Sequence, residues 1–384
     1  MLVNRVRTFF VSLLFVVGCG LAAAPAALAQ GRDWQPQRTW VFVVGTLKWK
    51  HSDVFNSFPQ KNRRDAQLVD FFRQQGVPAD QMVYLQDAQA TTQRVKTSFA
   101  AFLSRAREGD LLFFFYCGHG YRSDDERTTF FATYDAGEDV EGWSTESVVR
   151  AVDKYFKGSR ALLTADSCYS GSLAEQTRRT GRRISYATLT SADADELSTE
   201  NWTFTEMLLA GLTGKAFADI NDDGQITLGE VAEGVKEDMA FAEEQGTAFV
   251  AKGSLGPDTV LAEAQRKSSP EVSRRVEVKS EGEWYKARII DARAGRLKVH
   301  YYGWEDSDDE WIVPGQIRRS VRKPQGEAYG SEAYGVGTEV EVNWHGQWYS
   351  AQVLKVERNS HLIHYDGYDD SWDEWVSDKR IRRR

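Results

Sequence analysis

Between about residues 38 and 264, two apolar patterns alternate along the chain. Runs such as 39–45 (TWVFVVG) and 110–116 (DLLFFFY) are apolar almost throughout, which is typical of central strands in a parallel sheet. Segments such as 91–107 instead carry apolar residues at helical spacing. This alternation predicts an α/β fold with a mainly parallel sheet flanked by helices. The pattern also predicts helices at 64–75, 145–156 and 204–212, and strands at 81–85, 160–165 and 186–189.

The last quarter of the chain contains an internal repeat. The string VEV at 276 recurs at 340, GEWY at 282 recurs as GQWY at 346, and IRR at 317 recurs at 381, always 64 positions later. Each unit has short alternating strands, which predicts two small SH3-like β-barrels. We therefore divide the chain into an α/β domain (36–264), a polar linker (265–275), repeat 1 (276–319), a second linker (320–337) and repeat 2 (338–384).

Residues 1–29 have the pattern of an export signal. Arg5 and Arg7 precede an apolar run, and Ala27-Leu28-Ala29 is a small-x-small cleavage site. The run contains Gly and Cys and is followed by Pro25, so it is a poor membrane span. We expect a secreted or periplasmic protein with no transmembrane helix in the mature chain. Alternatively, the string VVGC resembles a lipobox, which would anchor a lipoprotein through Cys19.

Composition narrows the functional classes. The formal net charge is −8, which argues against a general binder of nucleic acid or anionic membranes, so no nucleic-acid partner is expected. The three cysteines include Cys19 in the leader, which leaves only Cys117 and Cys168. Two cysteines do not make a disulfide framework, and their scarcity suggests that one of them serves chemistry.

Two motifs follow the most apolar predicted strands. They are YCGHG at 116–120 and DSCYSG at 166–171. In open parallel sheets, ligands bind at the carboxyl ends of the strands. A thiol placed there beside an imidazole can be deprotonated and attack a carbonyl, and glycines leave N–H groups free to hold an oxyanion. The pattern therefore predicts Cys168 as nucleophile and His119 as base.

These motifs resemble those of caspase-like cysteine peptidases, and metacaspases and their bacterial relatives more than animal caspases, whose QACRG signature is absent. His119 precedes Cys168 by 49 positions, close to the roughly fifty found in caspases. The resemblance covers 40–262. It implies a caspase-like sandwich that hydrolyses protein or peptide substrates with a Cys-His dyad.

The resemblance also implies roles for neighbouring residues. The N–H groups of Gly120 and Cys168 would form the oxyanion hole. Asp166 would line the S1 pocket and select Arg or Lys at P1, with Asp53 as a second carboxylate. In the alternative interpretation, Asp166 serves only to hydrogen-bond a neighbouring loop. Another P1 preference and a catalytically inactive scaffold are further alternatives. A further hypothesis is a disulfide between Cys117 and Cys168, which would block the enzyme in an oxidising compartment.

The segment 219–230 fits a twelve-residue EF-hand loop. Oxygen ligands fall at its first, third and fifth positions, Gly at the sixth and Glu at the twelfth. The pattern predicts a Ca²⁺ site, structural or activating, rather than a simple polar turn. Its expected ligands are Asp219, Asn221, Asp223, Gln225 through its carbonyl, and Glu230.

The repeats resemble chromo-barrel or Tudor-knot modules, in which an aromatic cage binds methylated lysine by cation–π attraction. The matching positions in repeat 2 are Tyr349, Tyr365, Tyr368 and Trp372. In repeat 1, Asp308 replaces the fourth aromatic. Some of these rings must instead form the barrel cores. The resemblance therefore implies a recognition surface, with a protein or cell-envelope ligand, substrate capture and autoinhibition as alternatives.

Overall fold

The computed structural model describes residues 32–319, 334–344, 347–357, 360–368, 372–377 and 380–384. The predicted signal segment at 1–29, with Cys19, lies outside the described residues, as does most of the predicted linker at 320–337. Across the described ranges, no helix is long and apolar enough to cross a membrane.

The α/β part contains eleven strands and six α-helices. The strands are β1 (Thr39–Gly45), β2 (Met82–Gln86), β3 (Leu111–Cys117), β4 (Gly120–Arg122), β5 (Thr129–Phe131), β6 (Trp143–Ser144), β7 (Arg160–Asp166), β8 (Ser185–Thr190), β9 (Gln225–Thr227), β10 (Phe249–Ala251) and β11 (Val260–Glu263). The helices are α1 (Arg64–Gln74), α2 (Thr92–Leu103), α3 (Thr145–Tyr155), α4 (Gly171–Arg178), α5 (Thr203–Leu212) and α6 (Leu228–Asp238), which continues as a π-helical turn, Met239–Glu243.

A six-stranded sheet forms the centre of this part, in the order β10-β8-β7-β3-β1-β2. All its neighbouring strands are parallel except β10 and β8. Val41 and Val43 of β1 contribute to the apolar core on one face, and Phe42 and Val44 to the core on the other. The predicted α/β class with a mainly parallel sheet is confirmed, and the sheet is buried on both faces because helices cover each of them.

One predicted helix ends early. The helical pattern extends to 107, but α2 ends at Leu103. The Asp110 carboxylate accepts hydrogen bonds from the Arg107 N–H (2.9 Å) and the Trp40 indole (2.9 Å), which folds the chain into a turn before β3. Side-chain acceptors of this kind compete with helix continuation. The sequence patterns also missed α4, α6 and a small sheet of β4, β5 and β6.

Each repeat forms a five-stranded antiparallel sheet, consistent with the predicted small barrels. Their strands are β12 (Arg275–Ser280), β13 (Glu283–Arg293), β14 (Arg296–Tyr301), β15 (Glu310–Ile312) and β16 (Ile317–Arg319), then β17 (Glu339–Trp344), β18 (Gln347–Glu357), β19 (Ser360–Tyr365), β20 (Glu374–Ser377) and β21 (Ile381–Arg383). The orders are β15-β14-β13-β12-β16 and β20-β19-β18-β17-β21. Even the bulge is repeated, after Ile289 in one and Val353 in the other.

A cluster of aromatic rings supports the sheet on the side of α2 and α3. Trp143 is 1% exposed, and its ring centroid lies 5.1 Å from that of Phe99 and 5.6 Å from that of Phe114. We expect Trp143→Ala to lower the free energy of unfolding by about 3–5 kcal/mol, because it leaves a cavity in this cluster. Urea unfolding measures this difference. Tyr155→Ala, at the exposed end of α3, is the control and should change it by less than about 0.5 kcal/mol; equal losses would contradict the prediction.

Candidate active site

The two chemical motifs meet because β3 and β7 are neighbours. Their parallel register pairs Cys117 with Asp166, the last residue of each strand. The Gly118 N–H donates to the Asp166 carbonyl oxygen across the end of this pair (3.3 Å). His119 and Cys168 each follow two residues after the paired positions, so both emerge at the same edge of the sheet, as the sequence predicts.

Two glycines of the first motif allow the backbones to approach closely. Gly118 has φ +143°, and a Cβ there would lie 2.6 Å from the Thr46 carbonyl oxygen. A Cβ on Gly120 would lie 2.0 Å from the carbonyl oxygen of Cys168. No side chain fits at either distance, so the close approach of the two motifs depends on glycine at both positions.

His119 is held by aromatic rings and one carbonyl. Its ring lies 4.6 Å from Trp49, 5.5 Å from Phe55 and 4.3 Å from Phe58, measured between centroids. Nε2 is 2.8 Å from the carbonyl oxygen of Asn56. A carbonyl only accepts, so Nε2 carries the proton and Nδ1 keeps a lone pair. Burial lowers the pKa of His119 to about 4, against the opposing effect of the Asn56 carbonyl, so the imidazole is neutral near pH 7.

The Cys168 thiol is partly buried and surrounded by backbone groups. Sγ accepts from the Ser198 N–H (3.2 Å) and lies 3.6 Å from the Ser198 carbonyl oxygen, to which the thiol donates. Burial raises the pKa of Cys168, while hydrogen bonds from the N–H groups of Ser198, Gly120 and Cys168 itself oppose the rise. The predicted oxyanion donors, Gly120 and Cys168, are thus two of the three N–H groups that oppose the rise in the pKa of Cys168. Burial thus disfavours the charged form of both groups, so the structure holds a neutral thiol and a neutral imidazole near pH 7 rather than an ion pair.

Asp166 lies behind the nucleophile and is buried. Its Oδ2 accepts from the Thr205 hydroxyl at 2.5 Å. Burial raises the pKa of Asp166 to about 7, and the nearby charges of Glu243 and Glu206 add to the rise, while hydrogen bonds from Thr205 and Ser191 oppose it. Asp53 lies on an exposed turn after β1. Glu243 and Glu206 are thus further carboxylates near Asp166, and the assignment of Asp53 as a second S1 carboxylate stays a prediction.

Several residues of this site were not found by sequence reasoning. Asn56 and Ser198 act through backbone atoms, which leave no signal in the residue type. Glu243 lies 77 positions beyond Asp166 in the chain, in the π-helical turn that continues α6. Only the tertiary fold brings it near Asp166. Cys117 and Cys168 are both free. Burial raises the pKa of Cys117 well above its usual range, and its thiol packs in the apolar core.

The predicted calcium loop lies between α5 and α6. Asp219 Oδ2 accepts from the Gly224 N–H (3.1 Å), whereas its buried Oδ1 has no hydrogen-bond partner. Asn221 and Asp223 are exposed, and Glu230 accepts from the N–H groups of Ile220 (2.9 Å) and Asn221 (3.2 Å). Gln225 begins β9, which pairs with β11. A buried carboxylate oxygen without a donor fits a cation, because leaving it unpaired is costly.

The predicted cage residues of repeat 2 are neighbours. The ring centroids are 6.1 Å apart for Tyr349 and Tyr365, 6.1 Å for Tyr365 and Tyr368, and 5.5 Å for Tyr368 and Trp372. Tyr368 and Trp372 are 45% and 47% exposed, whereas Tyr365 is 5% exposed and donates its hydroxyl to Glu374. Tyr365 is therefore chiefly a core residue, and the exposed part of the cluster is formed by the other rings.

Comparisons with known proteins agree with both resemblances. Residues 65–177, which include His119 and Cys168, match the family model described as metacaspase, peptidase C14 domain. Residues 334–383 match the Tudor-knot model, described as the RNA binding activity-knot of a chromodomain. The predicted resemblance to metacaspase-type peptidases and to chromodomain-type modules is thus confirmed, and the first match supports a cysteine peptidase.

Similar solved structures add little beyond this. A protein from Geobacter sulfurreducens has 15% identity and a TM-score of 0.43, over 60% of this chain and 97% of that chain. Caspase-1 from Spodoptera frugiperda has 12% identity and a TM-score of 0.42, over 62% of this chain and 93% of that chain. At these TM-scores, the likeness supports no statement about the function of this chain. No curated protein matches the chain.

The raised pKa of Cys168 predicts how its alkylation depends on pH. The rate of carboxymethylation by iodoacetate should keep rising beyond about pH 8.5, where an ordinary thiol titrates, because only the thiolate reacts. The rate is measured by mass spectrometry, with Cys168→Ser as the background for Cys117. A rate that is already constant between about pH 5 and 8 would mean a preformed thiolate and would contradict the neutral pair.

Proposed function

We propose that the protein is an exported cysteine endopeptidase that cleaves after Arg or Lys with a Cys168–His119 dyad. The observation that carries this proposal is the orientation of the two motifs. The Asn56 carbonyl accepts from Nε2 of His119, which leaves Nδ1 as the base, and the N–H groups of Gly120 and Cys168 lower the pKa of the reacting thiol against the effect of burial. Together these provide a nucleophile, a base with a fixed tautomer and two oxyanion donors.

The proposed reaction follows from these positions. His119 Nδ1 takes the proton of Cys168 as Sγ attacks the scissile carbonyl carbon. The oxygen of that carbonyl becomes negative and accepts from the Gly120 and Cys168 N–H groups. His119 then gives its proton to the leaving amine, and a water molecule, deprotonated by the same nitrogen, hydrolyses the thioester. The Asn56 carbonyl stabilises the transient imidazolium in its required orientation.

The buried carboxyl of Asp166 supports a basic P1 residue. An arginine or lysine side chain next to Asp166 would supply a positively charged partner for this carboxyl and the carboxylates around it. Glu243 and Glu206 add negative charge to the same region. Because the pKa of Asp166 is about 7, the free enzyme carries a protonated Asp166 below that pH, and binding of a basic P1 side chain should weaken there.

Peptide hydrolysis tests the proposed activity. Substrates with Arg or Lys at P1 should be cleaved by the wild type, and Cys168→Ala should remove the activity. In Asp166→Asn, kcat/KM for Arg and Lys substrates should fall by about 10²-fold or more, because a buried charge pair is lost. For the wild type, KM for these substrates should rise as pH falls below about 7.

Substrates with Ala or Gln at P1 are the controls, and Asp166→Asn should leave their hydrolysis nearly unchanged. Hydrolysis by the wild type that ignores the P1 charge would refute the specificity. A folded wild-type protein that cleaves no member of a peptide library, with calcium and reductant present, would instead favour the inactive scaffold.

We further propose that the loop 219–230 binds Ca²⁺ as a structural ion. The unpartnered Asp219 Oδ1 supports this, together with the side chains of Asn221 and Asp223, the Gln225 carbonyl and the Glu230 carboxylate. Bound there, the ion would supply positive charge to a cluster of acidic groups. The loop leads directly into α6, which packs on α5 beside Asp166, so ordering of the loop would support the site.

Thermal unfolding tests the calcium proposal. Calcium at a hundredfold excess over its Kd should raise the melting temperature by several degrees relative to a chelator. Asp219→Asn should abolish this rise because it removes the buried charged ligand. Asp222→Asn is the matched control, since it removes the same charge at a loop position that supplies no ligand. A rise that survives in Asp219→Asn, or no rise in the wild type, would refute the site.

Export and the role of repeat 2 are also proposals. The leader pattern at 1–29 supports secretion or periplasmic export, and the lipoprotein form through Cys19 is the alternative. The exposed rings of Tyr368 and Trp372 support a recognition surface on repeat 2. The Tudor-knot description names RNA binding for that family, but the net charge of −8 favours a protein or cell-envelope ligand for this chain.

A further inference from the structure

Repeat 1 packs against the α/β part through six side chains, four of which repeat 2 does not share. We call them the docking face: Arg275, Lys286, Arg288, His300, Tyr302 and Asp306. Repeat 2 has Glu339, Ser350, Gln352 and Asp366 at the positions 64 residues after Arg275, Lys286, Arg288 and Tyr302, whereas His300 and Asp306 recur as His364 and Asp370. The two repeats therefore diverged at four of the six positions through which repeat 1 meets the α/β part.

One part of the docking face surrounds Asp238 at the end of α6. This carboxylate is 2% exposed and accepts from Arg275 Nε (2.7 Å) and the Tyr302 hydroxyl (2.8 Å), and Arg288 also pairs with it. The Arg288 guanidinium lies 4.7 Å from the Phe217 ring. Breaking such a buried cluster leaves uncompensated charges, so it holds repeat 1 in one orientation.

A second part grips Glu206 in the first turn of α5. Glu206 Oε1 accepts from Arg64 (2.7 Å), and Oε2 lies 3.3 Å from His300 Nε2. Arg64 also donates to Asp306 of repeat 1 (2.6 Å). Burial would lower the pKa of His300, but hydrogen bonds and charge from Asp309 and Glu206 raise it to about 9, so the His300–Glu206 contact is an ion pair at neutral pH. The cluster of Glu206, His300 and Asp306 needs no metal ion to balance its negative charge, because Arg64 already pairs with both carboxylates.

A third part reaches Glu243. Lys286 donates to the carbonyl oxygen of Ala242 (3.1 Å) and pairs with Glu244 (3.4 Å). Between these two residues, the Glu243 carboxylate accepts from the Asn201 amide (3.1 Å) and from the Thr203 hydroxyl. Repeat 1 thus holds Glu243 through the neighbours of Glu243 in the chain. Glu243 in turn holds Asn201 and Thr203, where the loop after β8 enters α5.

That loop covers the nucleophile. We call residues 193–202 the covering segment. Its Ser198 contacts the Cys168 sulfur with both its N–H and its carbonyl oxygen. While the thiol donates to the Ser198 carbonyl it cannot donate to His119, and both backbone groups of Ser198 lie against Sγ. The start of the segment is held by the α/β part itself, since the Tyr169 N–H donates to the Glu196 carbonyl oxygen (2.7 Å).

We propose that repeat 1 is an autoinhibitory clamp, which holds the covering segment on Cys168 through Glu206 and Glu243 and must leave its docked position for full activity. The proposal rests on the proposed peptidase function for its biological meaning. Its physical content is the accessibility of Cys168, which is measurable without any substrate. When repeat 1 undocks, the contacts at the α5 end of the covering segment break. Ser198 then no longer hydrogen-bonds with the Cys168 thiol.

The test uses full-length protein with Asp306→Lys, which places a positive charge beside Arg64. Carboxymethylation of Cys168 by iodoacetate should become about fivefold faster or more, the lower end of typical coupling between sites. Hydrogen exchange should rise in 198–206, and hydrolysis of Arg-P1 peptides should increase in parallel. Ser307→Lys is the matched control, because it adds the same charge one residue along the same exposed turn, and it should behave like the wild type.

A second variant, His300→Gln, removes the ion pair with Glu206 without adding charge and should shift all three measurements in the same direction. Carboxymethylation rates equal to the wild type in both variants, or a slower reaction, would overturn the clamp. If carboxymethylation accelerates while no variant cleaves any peptide, the clamp stands and the proposed peptidase function fails.

Discussion

The parallel pairing of β3 with β7, with Cys117 opposite Asp166, is the constraint on which the site depends. A shift of the register by one residue would turn the last side chain of one strand to the other face and separate His119 from Cys168. The pairing is sustained by two strands that are buried along nearly their whole length, between helices on both sides. The glycines beyond the strand ends then let the two backbones touch, so the core that stabilises the fold also sets the distance between the motifs.

Burial determines the protonation of the three chemical groups in this structure. It raises the pKa of Cys168 and of Asp166 and lowers that of His119, in each case because the charged form loses hydration. In the absence of a substrate, the charged form of each of the three groups is less stable than it would be in water. In the proposed reaction, a basic P1 side chain would stabilise the ionised form of Asp166, and the oxyanion would accept from the N–H groups of Gly120 and Cys168. Under that proposal, the substrate supplies charges that the free site lacks.

The sequence predicted the parts of this fold that depend on local pattern. The apolar runs gave the central strands, since residues buried on both faces leave no polar alternation, and the scarcity of Cys and His singled out Cys168 and His119. The sequence did not predict the Asn56 carbonyl or the Ser198 contact, because these arise from backbone positions fixed by tertiary packing. It also did not predict Glu206 and Glu243 as acidic neighbours of Asp166, because these residues come from distant segments of the chain. The helix α4 was missed because Gly171 and Ser172 at its start are weak helix formers.

The two repeats show how a duplicated module can diverge. Their strand orders are the same and their core side chains occupy equivalent positions, except that the buried His361 stands where repeat 1 has Leu297. They differ where repeat 1 places Arg275, Lys286 and Arg288 and repeat 2 has Glu339, Ser350 and Gln352. Basic side chains in repeat 1 complement the acidic residues of α5 and α6, which a copy with the charges of repeat 2 could not pair. Repeat 2 instead has Trp372 where repeat 1 has Asp308, so its aromatic surface is the more complete. Because docking and aromatic recognition need different side chains, duplication allows each copy to change at one set of positions while the shared strand order is kept.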